Sequence, residues 1–90
     1  MIERRTKPEI IKDILRVIYE KNGKIKPTHI LYKSNLSYVK MKTYITELID
    51  KKLIKEEQNN KNKTYTITEE GIKFLGDYER ITEFMKSFGL

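Results

Sequence analysis

Ninety residues, with 19 lysines and arginines against 13 acidic residues, give a net charge of +6, and no cysteine is present. A chain of this length makes one domain with a modest core, so a partner subunit would add stability. The charge favours polyanionic partners, nucleic acid or an acidic membrane surface, and the missing cysteine excludes disulfides, thiolate metal sites and cysteine nucleophiles.

The charge is uneven. Residues 1–67 hold 16 basic and 8 acidic side chains, a surplus of +8, whereas residues 68–90 hold 3 and 5, or −2. No apolar run is long enough to span a bilayer. The opening residues Met1 to Thr6 lack the apolar stretch of a signal peptide or a lipidation motif. A soluble cytoplasmic protein is therefore expected, with Met1 to Arg5 as a loose charged arm.

The first helix starts at Thr6, a cap with Pro8 in its first turn and Glu9 three residues on. Ile10, Ile11, Ile14, Leu15 and Ile18 recur at helical spacing. Asn22 and Gly23 stop the helix, the glycine free to turn left-handed, so it spans 8–21. Lys24 to Lys26 reads as a brief edge strand. Pro27 and Thr28 open a second, shorter helix through Ile30, Leu31 and Tyr32, which ends at Ser34 and Asn35. Leu36 then sits as a hydrophobic staple before the cap Ser37.

The third helix, 38–51, is two-faced. Met41, Ile45 and Leu48 line one stripe, which the stem of Lys52 extends, with Tyr44 and Ile49 beside it. Val39, Thr43, Thr46 and Asp50 fall opposite, flanked by Lys40, Lys42 and Glu47. Two helices joined by the turn Ser34-Asn35-Leu36-Ser37 make a helix-turn-helix, with this third helix in the recognition position.

Leu53 to Gln58 alternates weakly, 59–63 is a polar turn cluster, and Thr64 to Thr68 alternates strongly with Tyr65 and Ile67 on one face. These form a hairpin with a basic tip, a wing over 58–64. The order of elements predicts a winged helix-turn-helix: mainly α with a small β-hairpin, α+β in class.

Thr68 caps a last helix, acidic at Glu69 and Glu70 as the dipole favours. It reaches about Ser87, with Gly89 as terminator. Phe74, Tyr78, Ile81, Met85 and Phe88 are spaced four, three, four, three, the pattern of a coiled-coil seam. Ile72 and Leu75 can anchor the helix to the domain, and Phe84 lies off the seam. Gly71 and Gly76 weaken it by up to about 1 kcal/mol each relative to alanine. At roughly 30 Å it is too long for so small a domain to cover. The chain divides into a winged helix-turn-helix domain, 1–68, and a C-terminal dimerisation helix, 69–90.

The sequence resembles the small archaeal winged-helix DNA-binding proteins that dimerise through an antiparallel coiled coil of C-terminal helices. The matching residues are Glu9 to Leu15, Thr28 to Tyr32, Asn35 to Tyr38, Tyr44 and Ile45, Leu53 and Ile54, Tyr65 with Ile67 and Thr68, and Glu70 with Gly71. They cover most of residues 8–78. The Asn35-Leu36-Ser37-Tyr38 turn and the Thr68-x-x-Gly71 start of the last helix are the most specific. The resemblance implies a homodimer, sequence-tolerant binding of double-stranded DNA, and a chromatin-architectural or transcription-regulating role in the nucleoid.

The expected DNA contacts are Ser37, Tyr38, Lys40, Lys42, Thr43 and Thr46 on the recognition helix, with Lys61 and Lys63 at the wing. Lysine and hydroxyl groups reach phosphates and base edges. Tyr38 has the alternative of packing over Leu36. Arginine, the commonest specific reader of guanine, is absent from helix and wing, which favours backbone contacts over sharp sequence reading. Dimerisation is expected through Phe74, Tyr78, Ile81, Met85 and Phe88.

His29 has neither a cysteine nor a second histidine to share a metal, so no metal or cofactor is expected. Glu47 and Asp50 suit i,i+3 or i,i+4 pairs with lysines better than acid–base work. With no Gly-rich phosphate loop or nucleophile elbow, no enzyme, small-molecule or membrane role is predicted. The competing reading keeps the fold as a protein-contact module in a larger assembly, without DNA.

Overall fold

Three side-chain caps set the helix starts in the computed structural model, which describes residues 4–22 and 24–90. Helix α1 (Lys7–Glu20) opens with the reciprocal capping box: the Glu9 amide donates to Thr6 Oγ1 at 3.3 Å, and the Thr6 amide donates to Glu9 Oε1 at 3.4 Å. Its end falls at Glu20, capped by Lys21. Asn22 instead reaches across the fold, its Oδ1 accepting from the Ile67 amide at 3.2 Å. The expected turn at Gly23 lies outside the described residues.

Helix α2 (Pro27–Ser34) places proline at its first position, where the missing N–H costs nothing. Asn35 closes it at φ 53°, ψ 47°. The Leu36 amide then reaches back to the Leu31 carbonyl, and Leu36 is buried. Helix α3 (Tyr38–Asp50) is capped by Ser37, whose Oγ accepts from the Lys40 amide at 3.3 Å.

The C-terminus of α3 departs from expectation. Lys52 does not continue the apolar stripe, because it stands outside the helix at φ 63°. It is the left-handed residue of a Schellman closure, with Leu53 N–H to Leu48 O at 2.9 Å and Lys52 N–H to Ile49 O at 3.0 Å.

Strands β1 (Ile54–Asn59) and β2 (Asn62–Ile67) pair antiparallel, from Ile54 opposite Ile67 to Asn59 opposite Asn62. The polar cluster is thus mostly strand, and only Asn60 and Lys61 turn, with Asn60 at φ 55°. The predicted strand at 24–26 is one bridge, Ile25 to Tyr65. Helix α4 (Glu69–Ser87) is capped by Thr68, which accepts from the Gly71 amide at 3.1 Å.

One core unites these elements. Ile10, Ile14, Leu15 and Ile18 meet Ile25, Ile30 and Leu36, the inner face of α3, Ile54, Tyr65 and Ile67 of the hairpin, and Leu75. Each large aliphatic fully buried contributes about 1.5–3 kcal/mol. The opening arm is not loose throughout: Arg5 donates to Asp13 Oδ2 and to the Ser34 carbonyl, both at 2.7 Å, fastening α1 to the end of α2. Burial alone would raise the Asp13 carboxyl, but hydrogen bonds from Lys12 and Arg5 outweigh it and hold the group below its ordinary value.

Helix α4 lies on α1 and β2. Gly71 and Leu75 are its buried residues, while Ile72, a proposed anchor, is exposed. Lys12 lies 5.9 Å from the Tyr78 ring, and Arg16 pairs with Glu79. Among the described residues no helix is long and apolar enough to cross a membrane.

The two helical glycines differ in kind. A Cβ on Gly71 would stand 2.3 Å from the Leu53 carbonyl oxygen and 2.6 Å from Ile67 Cγ1; one on Gly76 would meet only the flexible end of Arg80 at 3.6 Å. Gly71→Ala is expected to destabilise by about 1–3 kcal/mol through overpacking, against its better helix propensity. Gly76→Ala is expected to stabilise by up to about 1 kcal/mol. Thermal melts of the two variants should move in opposite directions.

Asp13 generates an acid-side expectation. Its folded-state pKa is depressed, so its contribution is present above the ordinary carboxylate range and is lost as the pH falls through the lowered value. Asp13→Asn should lower the melting temperature at neutral pH. The gap to the parent protein should narrow as the pH drops below about 4.

Candidate nucleic-acid interface

Helical phase divides α3 cleanly. Met41, Ile45 and Leu48 enter the core, and Tyr44 and Ile49 flank them half-buried. Ser37, Tyr38, Val39, Lys40, Lys42, Thr43 and Thr46 stay exposed. Tyr38, Val39, Lys42, Thr43 and Thr46 together outline a shallow, mainly apolar concavity on the outer face. Tyr38 is 61% exposed, so its ring does not pack away over Leu36.

The two threonines turn their hydroxyls onto their own helix. Thr43 Oγ1 donates to the Val39 carbonyl at 3.0 Å, and Thr46 Oγ1 donates to the Lys42 carbonyl at 2.9 Å. Each hydroxyl proton is thereby engaged, leaving oxygen lone pairs and the γ-methyl as the outward chemistry.

Between α3 and the hairpin runs a second cleft, where Tyr38, Lys42 and Thr46 face Glu56, Lys63 and Tyr65. Tyr38, Lys42 and Thr46 border both surfaces. Glu56 stands opposite Tyr65 in the strand register. It takes the Tyr65 hydroxyl at 3.5 Å and Lys63 Nζ at 3.4 Å. Burial, then the adjacent Glu56 carboxylate, pushes the Tyr65 phenol up to about 12, so it remains a proton donor.

The expected contact residues are therefore not equivalent. Lys63 is engaged with Glu56 inside the cleft, while Lys61 stands at the exposed hairpin tip. Lys40 is exposed near the start of α3, apart from both concavities. Sequence reasoning left out Val39, 73% exposed on the outer face, although the helical phase had placed it there. It also missed Glu56, whose role depends on a cross-strand register. Glu47 pairs not within its helix but with Lys7 of α1, at 2.8 Å. The hydrogen bond and charge of Glu47 raise the Lys7 pKa.

A second surface lies on α4. Phe74 and Tyr78 are half-buried, their rings stacked at 6.4 Å. Ile81 is 64% exposed, Met85 43% and Phe88 67%. Phe84, expected off the seam, joins this face: its ring lies 5.0 Å from that of Phe88. His29 is on the surface of α2.

Comparison with solved structures returns the same architecture. Sso10a-2, a DNA-binding protein from Sulfolobus solfataricus, is 25% identical with a TM-score of 0.81, over 93% of this chain and 85% of that one. SSV1 F-93 is 24% identical with a TM-score of 0.70, over 98% and 99%. MepR, a transcription regulator from Staphylococcus aureus, is 20% identical with a TM-score of 0.77 over 88% of this chain, which spans 60% of MepR. No curated protein matches. A family comparison matches residues 4–86, a span that takes in α2, the two-faced α3 and the paired wing: the chain belongs to the winged helix-turn-helix family.

Proposed function

We propose that this chain binds double-stranded DNA as a homodimer and acts in the nucleoid, as a transcription regulator or a chromatin-architectural protein. The carrying observation is that the outer face of α3 is supplied by residues the core does not use, on the helix that this family inserts into the major groove. Lys40 and Lys42 supply positive charge there, and Lys61 extends it at the hairpin tip. The Ser37 hydroxyl and the first backbone amides of α3 suit a phosphate. The likeness to Sso10a-2, a DNA-binding protein, supports this reading.

The dimer reading rests on α4. Ile81, Phe84, Met85 and Phe88 form an exposed apolar face beyond the last buried turn. Two copies packed through this face would bury those side chains together with the outer edges of Phe74 and Tyr78. At roughly 1.5–3 kcal/mol for each large side chain fully buried, such a contact offsets the cost of association for a modest interface. The two-fold axis then holds two recognition helices at a fixed separation.

Two measurements test these statements. Lys61→Ala should weaken binding to all duplexes alike and reduce the slope of log K against log salt by about 0.9, one phosphate contact. Lys63→Ala should change the slope less, because Glu56 already holds that lysine. Equal slopes for Lys61→Ala and the parent would remove the wing tip from the interface.

Ile81→Asp should convert a dimer to a monomer in sedimentation, since an unpaired carboxylate is costly in an apolar seam. It should also weaken DNA binding through loss of the second site. A parent protein already monomeric at micromolar concentration would end the dimer reading.

A further inference from the structure

The outer face of α3 lacks the guanidinium and amide side chains that read bases in a fixed geometry. Of the side chains that pair with guanine or adenine through two bonds it has only lysine, at Lys40 and Lys42, and no arginine, asparagine or glutamine. Its two threonines have given their hydroxyl protons to the carbonyls four residues back, at 3.0 Å and 2.9 Å. Val39, Thr43 and Thr46 follow at i, i+4 and i+7, so they form one stripe along the helix. Val39 is 73% exposed and lines a mainly apolar concavity that Lys42 also borders. Lysines beside that stripe match a polyanion, which commits the surface to nucleic acid rather than to an apolar protein partner.

Major-groove edges offer one apolar feature, the methyl group on C5 of a pyrimidine. Resting on the DNA-binding reading above, we infer that the outer face of α3 reads pyrimidine C5-methyl groups, those of thymine or 5-methylcytosine, through Val39 and the γ-methyl of Thr43. The lone pairs of Thr43 and Thr46 accept from exocyclic amino groups beside that methyl. The amino group is that of adenine paired to the thymine, or that of the methylated cytosine itself. This chemistry gives a graded preference for methyl-bearing steps on top of sequence-independent phosphate binding.

The test uses the full chain and four duplexes of one length at one salt concentration. One pair differs only by uracil in place of every thymine. The other differs only by 5-methylcytosine in place of every cytosine. Each contacted methyl should strengthen binding by roughly threefold to fourfold, the effect of burying one such group. Discrimination within one pair alone still supports the inference and names which base is the source.

Val39→Ala and Thr43→Ser, both at exposed positions, should each bring the ratio toward one. Thr43→Val, which keeps the methyl and removes the hydroxyl, should preserve it. Equal affinity within both pairs overturns the inference while leaving DNA binding intact. A ratio unchanged in Val39→Ala and Thr43→Ser also overturns it, since the methyl would then act through duplex shape. Failure to bind any duplex would overturn the DNA-binding reading itself.

Discussion

Three elements converge on the carbonyl of Leu53. The Thr68 amide donates to it at 3.1 Å, and the Thr68 hydroxyl proton is shared between it at 3.0 Å and the Lys52 carbonyl at 2.8 Å. The backbone of α4 passes so close at Gly71 that no Cβ fits between. The same hydroxyl oxygen accepts the Gly71 amide, so one threonine caps α4 and closes the base of the hairpin. Leu53 itself follows the left-handed Lys52 that ends α3. The end of the recognition helix, both ends of the wing and the start of the last helix are therefore held within a few hydrogen bonds. Relative placement of α3 and wing follows from this junction, since a two-stranded hairpin has little stability of its own.

What the sequence made legible was local chemistry. Thr6, Ser37 and Thr68 each cap a helix through a hydroxyl three residues from the amide it satisfies, and such pairs are visible in a linear chain. The phase of α3 followed from Met41, Ile45 and Leu48, and with it the outward placement of every candidate residue on that helix. What stayed hidden depended on distance or on unusual backbone. Lysine is a poor left-handed residue, so nothing marked Lys52 as the closure of α3. Glu47 finds Lys7 forty positions away. Glu56 acquires its neighbours only when a two-residue tip fixes the strand register. Gly71 looked like a weakness of α4 and is instead what its close approach requires.

The candidate site separates two kinds of polar group that look alike in sequence. The threonine hydroxyls are satisfied within the helix, so moving them into a groove strands no donor. Lys63 and Glu56 satisfy one another, so the cleft beneath α3 is partly neutralised before any partner arrives. Lys42 lines both the cleft and the outer concavity that holds Val39 and Thr43, whereas Lys61 stands apart at the hairpin tip.

Charge placement adds a constraint on how α4 is used. The last 23 residues carry −2 while the rest of the chain carries +8. Helix α4 lies on α1 and β2, whereas α3 lies on β1 and α2. Helices α3 and α4 thus pack mainly on different partners, and they come together where Thr68 meets Lys52 and Leu53. The root of α4 is anchored, because Leu75 is in the core and Gly71 is packed against Leu53, with Arg16 pairing to Glu79 at the surface. In the proposed dimer, a rotation at the exposed half of α4 would therefore be transmitted to α3 as a rigid-body movement rather than absorbed at a hinge. The spacing between two recognition helices would then be set by packing at Ile81, Phe84, Met85 and Phe88, residues far from any base.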